Sequence, residues 1–171
     1  LLSIICGMES TRILVTDSWR KIKNACWRHE NNYLSLEDFR ELCRFHGEPD
    51  DRKQETLARI LHHLGAVLHY IDDPRLRDTS VLNPHWVTSG VYTLLRYRDV
   101  PNGNGILSFK QSLGALPTEK EEAIRFLLRL MEKFEMCFPL SETENRFEEN
   151  EDSSWLVPGA LPRYQPEIGD E

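Results

Sequence analysis

The sequence predicts an α+β fold, mostly helical, made of two winged-helix-like units in tandem, each with a small antiparallel sheet. Three observations carry this. Apolar stripes of helical period recur along the chain, short apolar runs bounded by turn residues stand between them, and both appear twice in one order. The stripe Leu57, Ile60, Leu61, Leu64 has the spacing of Leu127, Leu130, Met131, Phe134. Around it, Leu34-Ser35-Leu36 matches Leu107-Ser108-Phe109, and Ala66-Val67-Leu68 matches Met136-Cys137-Phe138. Val81-Leu82-Asn83-Pro84 is set against Trp155-Leu156-Val157-Pro158. Each half reads helix, short strand, helix, helix, strand, loop, strand, and two such small units need to share a core for stability.

In chain order, Trp19, Ile22 and Cys26 share one face, so Ser18 to His29 is an amphipathic helix. Tyr33-Leu34-Ser35 is a short strand or a corner. Ser35 to Asp38 resembles a capping box that opens a helix through Phe45, and Gly47 to Asp50 stops it. The helix carrying Leu57 to Leu64 follows, with Gly65 placed as its left-handed terminator. Ala66 to Tyr70 reads as a buried strand, Asp72-Asp73-Pro74 as a turn, and Ser80-Val81-Leu82 as the return strand. Asn83-Pro84 is an N-cap followed by proline at the first helical position, and Val87, Val91, Leu94 and Leu95 stripe the helix it opens. Asn102 to Gly105 is a turn before Ile106-Leu107. Ser108 to Gln111 is a second capping box, and Thr118 to Glu121 a third, opening a helix through Lys133. Phe134 to Leu140 reads as a strand, Ser141 to Ser154 as an acidic loop, and Trp155 to Val157 as a strand closed by Pro158.

Hydrophobic content of 40% and charged content of 29% across 171 residues suit a globular chain that buries a core. A net charge of −7 works against general affinity for nucleic-acid backbones or anionic membranes. No apolar run has the roughly 20 residues of a membrane span. Leu1 to Cys6 lacks the basic leader of a signal peptide and reads as the trailing end of an upstream element. The four cysteines have no CxxC spacing and read as free, mostly buried thiols of a reducing cytosol, which places the protein in the cytoplasm.

Winged helices often read DNA with their third helix. Here Arg52, Lys53, Arg59, His62 and His63 alternate with Glu48, Asp50, Asp51 and Glu55, and Lys120, Arg125 and Arg129 with Glu119, Glu121, Glu122 and Glu132. The loop from Ser141 to Ser154 has six acids and one base, a net of −5 that repels phosphate. A tandem winged-helix nucleic-acid binder is therefore the second reading. Adjacent His62 and His63 face apart on a helix, and His69 and His85 join no cysteine at a zinc spacing, so no metal site is expected. Asp72 and Asp73 beside Pro74 read as turn formers. There is no phosphate loop, nucleophile elbow or HExxH pair, so neither catalytic residue nor cofactor site is assigned. Among the tryptophans, Trp19, Trp86 and Trp155 stand at element starts or on short strands, places that serve core or interface alike.

Leu61 to Tyr92 (LHHLGAVLHYIDDPRLRDTSVLNPHWVTSGVY), Gly105-Ile106-Leu107, Leu130 to Leu140 (LMEKFEMCFPL) and Trp155 to Pro162 (WLVPGALP) together resemble the COR region of Roco proteins, nearer the prokaryotic members. The resemblance runs from Trp19 to about Ile168, and the long acidic loop departs from it. It implies that residues 1–17 are the tail of a preceding Ras-like Roc GTPase domain or a linker. Residues 18–83 and 84–160 would be the two winged-helix-like units, and 161–171 a linker to a second COR subdomain. The implied role is a non-catalytic signalling module that packs on the Roc domain in cis and relays its nucleotide state. GTP or GDP with Mg would sit in that domain, in a homodimeric parent dimerised through the second subdomain, with this chain alone a monomer. The implied Roc contact is Ser154, Trp155 and Leu156, with Trp86 at the neighbouring helix start.

Overall fold

Helix α1 (Asp17–Arg28) begins where the Thr16 hydroxyl accepts the Trp19 amide, and it buries Trp19, Ile22 and Cys26. The computed structural model describes residues 16–97, 100, 105–140 and 153–161. Strand β1 (Tyr33–Ser35) runs straight into α2 (Leu36–Phe45), whose first turn is capped by Ser35 accepting the Asp38 amide. Asp50 caps α3 (Asp51–His63) by accepting the Arg52 and Lys53 amides. Gly65, at φ 65°, ends it, with the Gly65 amide on the His62 carbonyl and the Ala66 amide on the Leu61 carbonyl. Strands β2 (Leu68–His69) and β3 (Thr79–Val81) complete a sheet of order β1-β3-β2, antiparallel throughout.

The second unit repeats the plan. Helix α4 (Pro84–Arg96) is capped by Asn83, with proline in its first turn. Strand β4 (Ile106–Ser108) leads into α5 (Phe109–Ala115) through a complete capping box between Ser108 and Gln111. Helix α6 (Glu121–Lys133) buries seven residues, among them Ile124, Leu127 and Met131. Strands β5 (Phe138–Pro139) and β6 (Ser154–Leu156) give the sheet order β4-β6-β5, and a 3₁₀ turn (Pro158–Ala160) follows. The mixed α+β class with two small antiparallel sheets is the one expected from the sequence. Several local readings need correction. Thr118 does not cap α6, because the helix begins at Glu121 behind Lys120, which makes no side-chain cap bond. The strand read from Phe134 to Leu140 shrinks to two residues, because Glu135 at φ 56° repeats the helix stop of Gly65. The strand read from Ala66 to Tyr70 likewise shrinks to Leu68–His69. Residues 1–6, the turn at 102–104 and most of the acidic loop, 141–152, lie outside the described residues.

Strand pairing fixes the match between the halves. Ser80 opposes Leu34 and Trp155 opposes Leu107, while Val81 opposes Tyr33 and Leu156 opposes Ile106. The sequence match of Val81 to Trp155 is therefore one residue out: Trp155 stands at the place of Ser80, and Leu156 at that of Val81. A one-residue slip turns a strand over, exchanging its two faces.

Each sheet turns one face to its own helices. In the first unit that face meets a core of α1, α2 and α3 residues including Ile22, Phe39 and Leu61. The opposite face carries Tyr33, Val81 and Leu68, which pack into the core of the second unit with Trp86, Leu127 and Leu130. The first sheet is thus sandwiched, and this joins the halves.

Candidate functional site

Helix α6 lies between the two tryptophans singled out from the sequence. Trp86, in the first turn of α4, is 8% exposed. Its ring lies 5.2 Å from Tyr33 of β1 and 6.5 Å from Phe126 of α6, and its indole N–H donates to Glu119 Oε1 at 2.9 Å. Trp155 is 2% exposed, on the inward face of β6 beside Leu107, and its indole N–H donates to Glu132 Oε1 in the last turn of α6. The sequence left Trp155 open between core and interface, and the preceding acidic loop is too polar to cover it. The cover comes instead from α6 and the flanking strands, which the inward register makes possible. Ser154 and Leu156, both half-buried, alternate with Trp155 and so belong to the other face of the strand. The four candidate residues therefore form two inward anchors on α6 and two outward positions on β6.

Glu132 extends the contact into an ionic network. Its Oε2 accepts from Arg75 Nη1 at 2.9 Å, and Arg75 grips Asp73 through Nε at 3.2 Å and Nη2 at 3.3 Å. Lys133 Nζ reaches Asp73 Oδ2 at 3.2 Å. Burial alone would raise the Asp73 carboxyl, but bonds from the Arg75 side chain and amide and from Lys133 outweigh it and hold Asp73 at about 2. The Arg75 guanidinium is raised in return, chiefly by its bond to Asp73. The network joins the β2–β3 loop of the first unit to α6 and β6 of the second. Asp73 is a turn former as expected, its carbonyl taking the Leu76 and Arg77 amides, but its ionic role was not read from the sequence. Lys133, a partner 60 residues away, leaves no local signal.

The other candidates behave as structural residues. The His69 amide donates to His62 Nδ1 at 3.3 Å, and buried His69 bonds Ser80 Oγ at 3.0 Å; burial, then the His62 charge, lowers its pKa. Among the described residues no three His, Cys, Asp or Glu side chains are grouped to hold a metal, and no helix is long and apolar enough to cross a membrane. Burial pushes the Cys26 thiol up to about 11 and those of Cys43 and Cys137 to about 12, which disfavours the nucleophilic thiolate. Two of the basic residues weighed for nucleic acid are engaged within the fold: Arg59 with Glu55 and Asp72, Arg125 with Glu121 and over the Phe109 ring.

Comparison with known proteins agrees with this architecture. The family model described as "C-terminal of Roc, COR-A domain" matches residues 16–161. The chain is 30% identical over 131 residues to the probable serine/threonine-protein kinase roco11 of Dictyostelium discoideum, covering 76% of this chain and 8% of that protein. It is 29% identical over 137 residues to a Roc-COR-CHAT protease of Runella zeae, covering 79% and 13% respectively. The solved structure of Methanosarcina barkeri Roco2 RocCORdC bound to GDP superposes with a TM-score of 0.78 at 27% identity, over 94% of this chain and 48% of that one. The chain thus spans a small part of these curated relatives, 8% and 13% of their lengths.

Proposed function

The chain belongs to the COR-A family, the COR domain found C-terminal of Roc in Roco proteins, and from that premise we propose that it is a non-catalytic regulatory module that packs on the adjoining Roc GTPase in cis and relays its nucleotide state. The observation that carries the proposal is the match of residues 16–161 to COR-A. The overlay on Roco2 RocCORdC supports it. GTP or GDP with Mg would be held by the Roc domain of the parent, a cytoplasmic signalling protein. A second COR subdomain would follow residues 161–171 and dimerise the parent, leaving this chain alone a monomer.

Relay of this kind needs a stiff body whose fit to Roc differs between nucleotide states. The Trp155–Glu132–Arg75–Asp73–Lys133 network supports such a body, since it ties both units together. The Roc contact would then fall on what the indoles brace: the start of α4 at Asn83 and His85, anchored by Trp86, and the opening of β6 at Ser154, with Leu156 at its border. Tandem winged-helix binding of nucleic acid has less in its favour, because the net charge is −7 and Arg59 and Arg125 are internally paired.

The test compares GDP release and GTP hydrolysis by the parent's Roc domain alone with those of the Roc domain joined to this chain. The joined protein should show altered rates, and Arg75→Ala should move them back toward those of Roc alone. Identical rates with and without the chain refute the proposal.

A further inference from the structure

A cavity of about 370 Å³ opens in the first unit, between α2, α3 and the loop that joins β2 to β3. Its inner wall is made by Phe39, Gln54, Ala58 and His69, none more than 3% exposed. That volume falls at the low end of small-molecule sites, roughly 300–1,000 Å³.

Among the described residues, two buried side-chain polar atoms have no hydrogen-bond partner, Gln54 Oε1 and His69 Nε2, and both residues line this cavity. Turning either group over relieves nothing. Gln54 Nε2 donates to the Glu48 carbonyl at 2.8 Å, so the amide is held with its oxygen as the free end. His69 Nδ1 meets the Ser80 hydroxyl at 3.0 Å. The His69 ring also stacks on Phe39, with centroids 6.3 Å apart and 22° between planes, so it is held with Nε2 as the free end. A buried polar group without a partner costs the fold stability, and most such groups have one. Two of them on the wall of one cavity mark a place suited to a hydrogen-bonding ligand.

The free atoms define that ligand's chemistry. Gln54 Oε1 only accepts, so the ligand donates to it. His69 Nε2 donates or accepts according to which way the Ser80 hydroxyl turns. A carboxamide answers both, with one N–H for Gln54 and its carbonyl or second N–H for His69. The rim decides the charge. Arg40 and Arg77 stand there among Asp51, Glu55 and Asp78, and Glu55 is already paired with Arg59. Charges of both signs so interspersed draw neither an anion nor a cation. The inner wall, with Phe39 and Ala58, penalises a charge that it does not pair.

We propose that this cavity binds a small neutral carboxamide, whose N–H donates to Gln54 Oε1 and whose polar edge pairs with His69 Nε2. Arg77 and Asp78, in the cavity wall, belong to the loop from which Arg75 reaches Glu132. An occupant therefore braces the segment that ties the first unit to the second. The binding is separate from the Roc contact and does not depend on it.

The experiment titrates the full chain, isotope-labelled in nitrogen, with benzamide, N,N-dimethylbenzamide and benzoate. Magnetic resonance reads the Gln54 amide and His69 ring signals. Benzamide at millimolar concentration should shift both signals saturably. The dimethyl amide lacks the donor and benzoate carries a charge, so each should bind at least about tenfold more weakly. Gln54→Leu removes the acceptor and should weaken benzamide by about tenfold or more. Ala58→Met fills the cavity from its inner wall while keeping Gln54, and should do the same; melting curves show which variants are folded, and one is enough. The proposal is overturned if benzamide leaves both signals unmoved, since water alone then satisfies the two atoms. It is overturned as well if either control binds as benzamide does, or if a folded variant binds benzamide like wild type.

Discussion

Replacing Trp155 tests whether the inward register of β6 holds the second unit together. The ring is 2% exposed, lies on the inner face beside Leu107, and gives its N–H to a Glu132 carboxylate whose side chain is 16% exposed. Trp155→Ala removes the largest fully buried side chain of the core, which costs about 3–5 kcal/mol. Trp155→Phe keeps most of the packing and leaves Glu132 with Arg75 but without the indole donor, a loss of about 1–3 kcal/mol. At roughly 2–4 °C per kcal/mol for a chain of this size, the alanine variant should melt about 6–20 °C below wild type. Urea titrations followed by circular dichroism give the free energies directly. An alanine variant that melts within about 2 °C of wild type but binds Roc more weakly refutes the reasoning, because the ring would then act at an interface and not in the core.

Three other outcomes are expected. Asp73 has its folded pKa held at about 2 against an ordinary 3.8, so it stabilises the fold above pH 4 and loses that contribution as pH falls from 4 toward 2. Urea titrations over that range should show wild type losing about 2 kcal/mol more than Asp73→Asn, and parallel curves would disprove the coupling. Glu135 is a non-glycine residue at φ 56° in the position where the first unit has Gly65, so Glu135→Gly should stabilise by about 1 kcal/mol; a lower melting temperature counts against it. Calorimetry with GTP or GDP at millimolar concentration should be flat, because the sequence has no phosphate loop, and saturable heat would contradict a role that leaves nucleotide to Roc.

Helices were legible wherever a stripe of period 3.6 met a capping residue. Ser35, Asn83 and Ser108 each accept the amide their side chains are suited to take, and so does Asp50, which the sequence offered only as the stop of the preceding helix. Thr118 carries the same local chemistry and does no such work, since α6 is held by burial of seven side chains and starts where that burial starts. Packing overrode the cap, as it does in helices stabilised chiefly by tertiary contacts. The ionic network was not legible at all. Asp73, Arg75 and Glu132 are ordinary surface residue types, and their meeting depends on how the second unit seats on the first sheet, which no local pattern encodes.

The register of β6 was illegible for a narrower reason. Strands of three residues contain one full alternation, so the sequence fixes their faces only through the residues beside them, and Val81-Leu82 and Trp155-Leu156 are apolar pairs that fit either phase. Matching them through the prolines at 84 and 158 placed Trp155 with Val81; matching them through the ladders to β1 and β4 places it with Ser80. The prolines mislead because they are not equivalent. Pro84 follows the cap of a helix of 13 residues, whereas Pro158 opens a 3₁₀ turn of three. The turn is where the units diverge, and the divergence begins at the residue after the last ladder pair. Trp155 therefore stands on the inner face, where the match through the prolines would set Leu156.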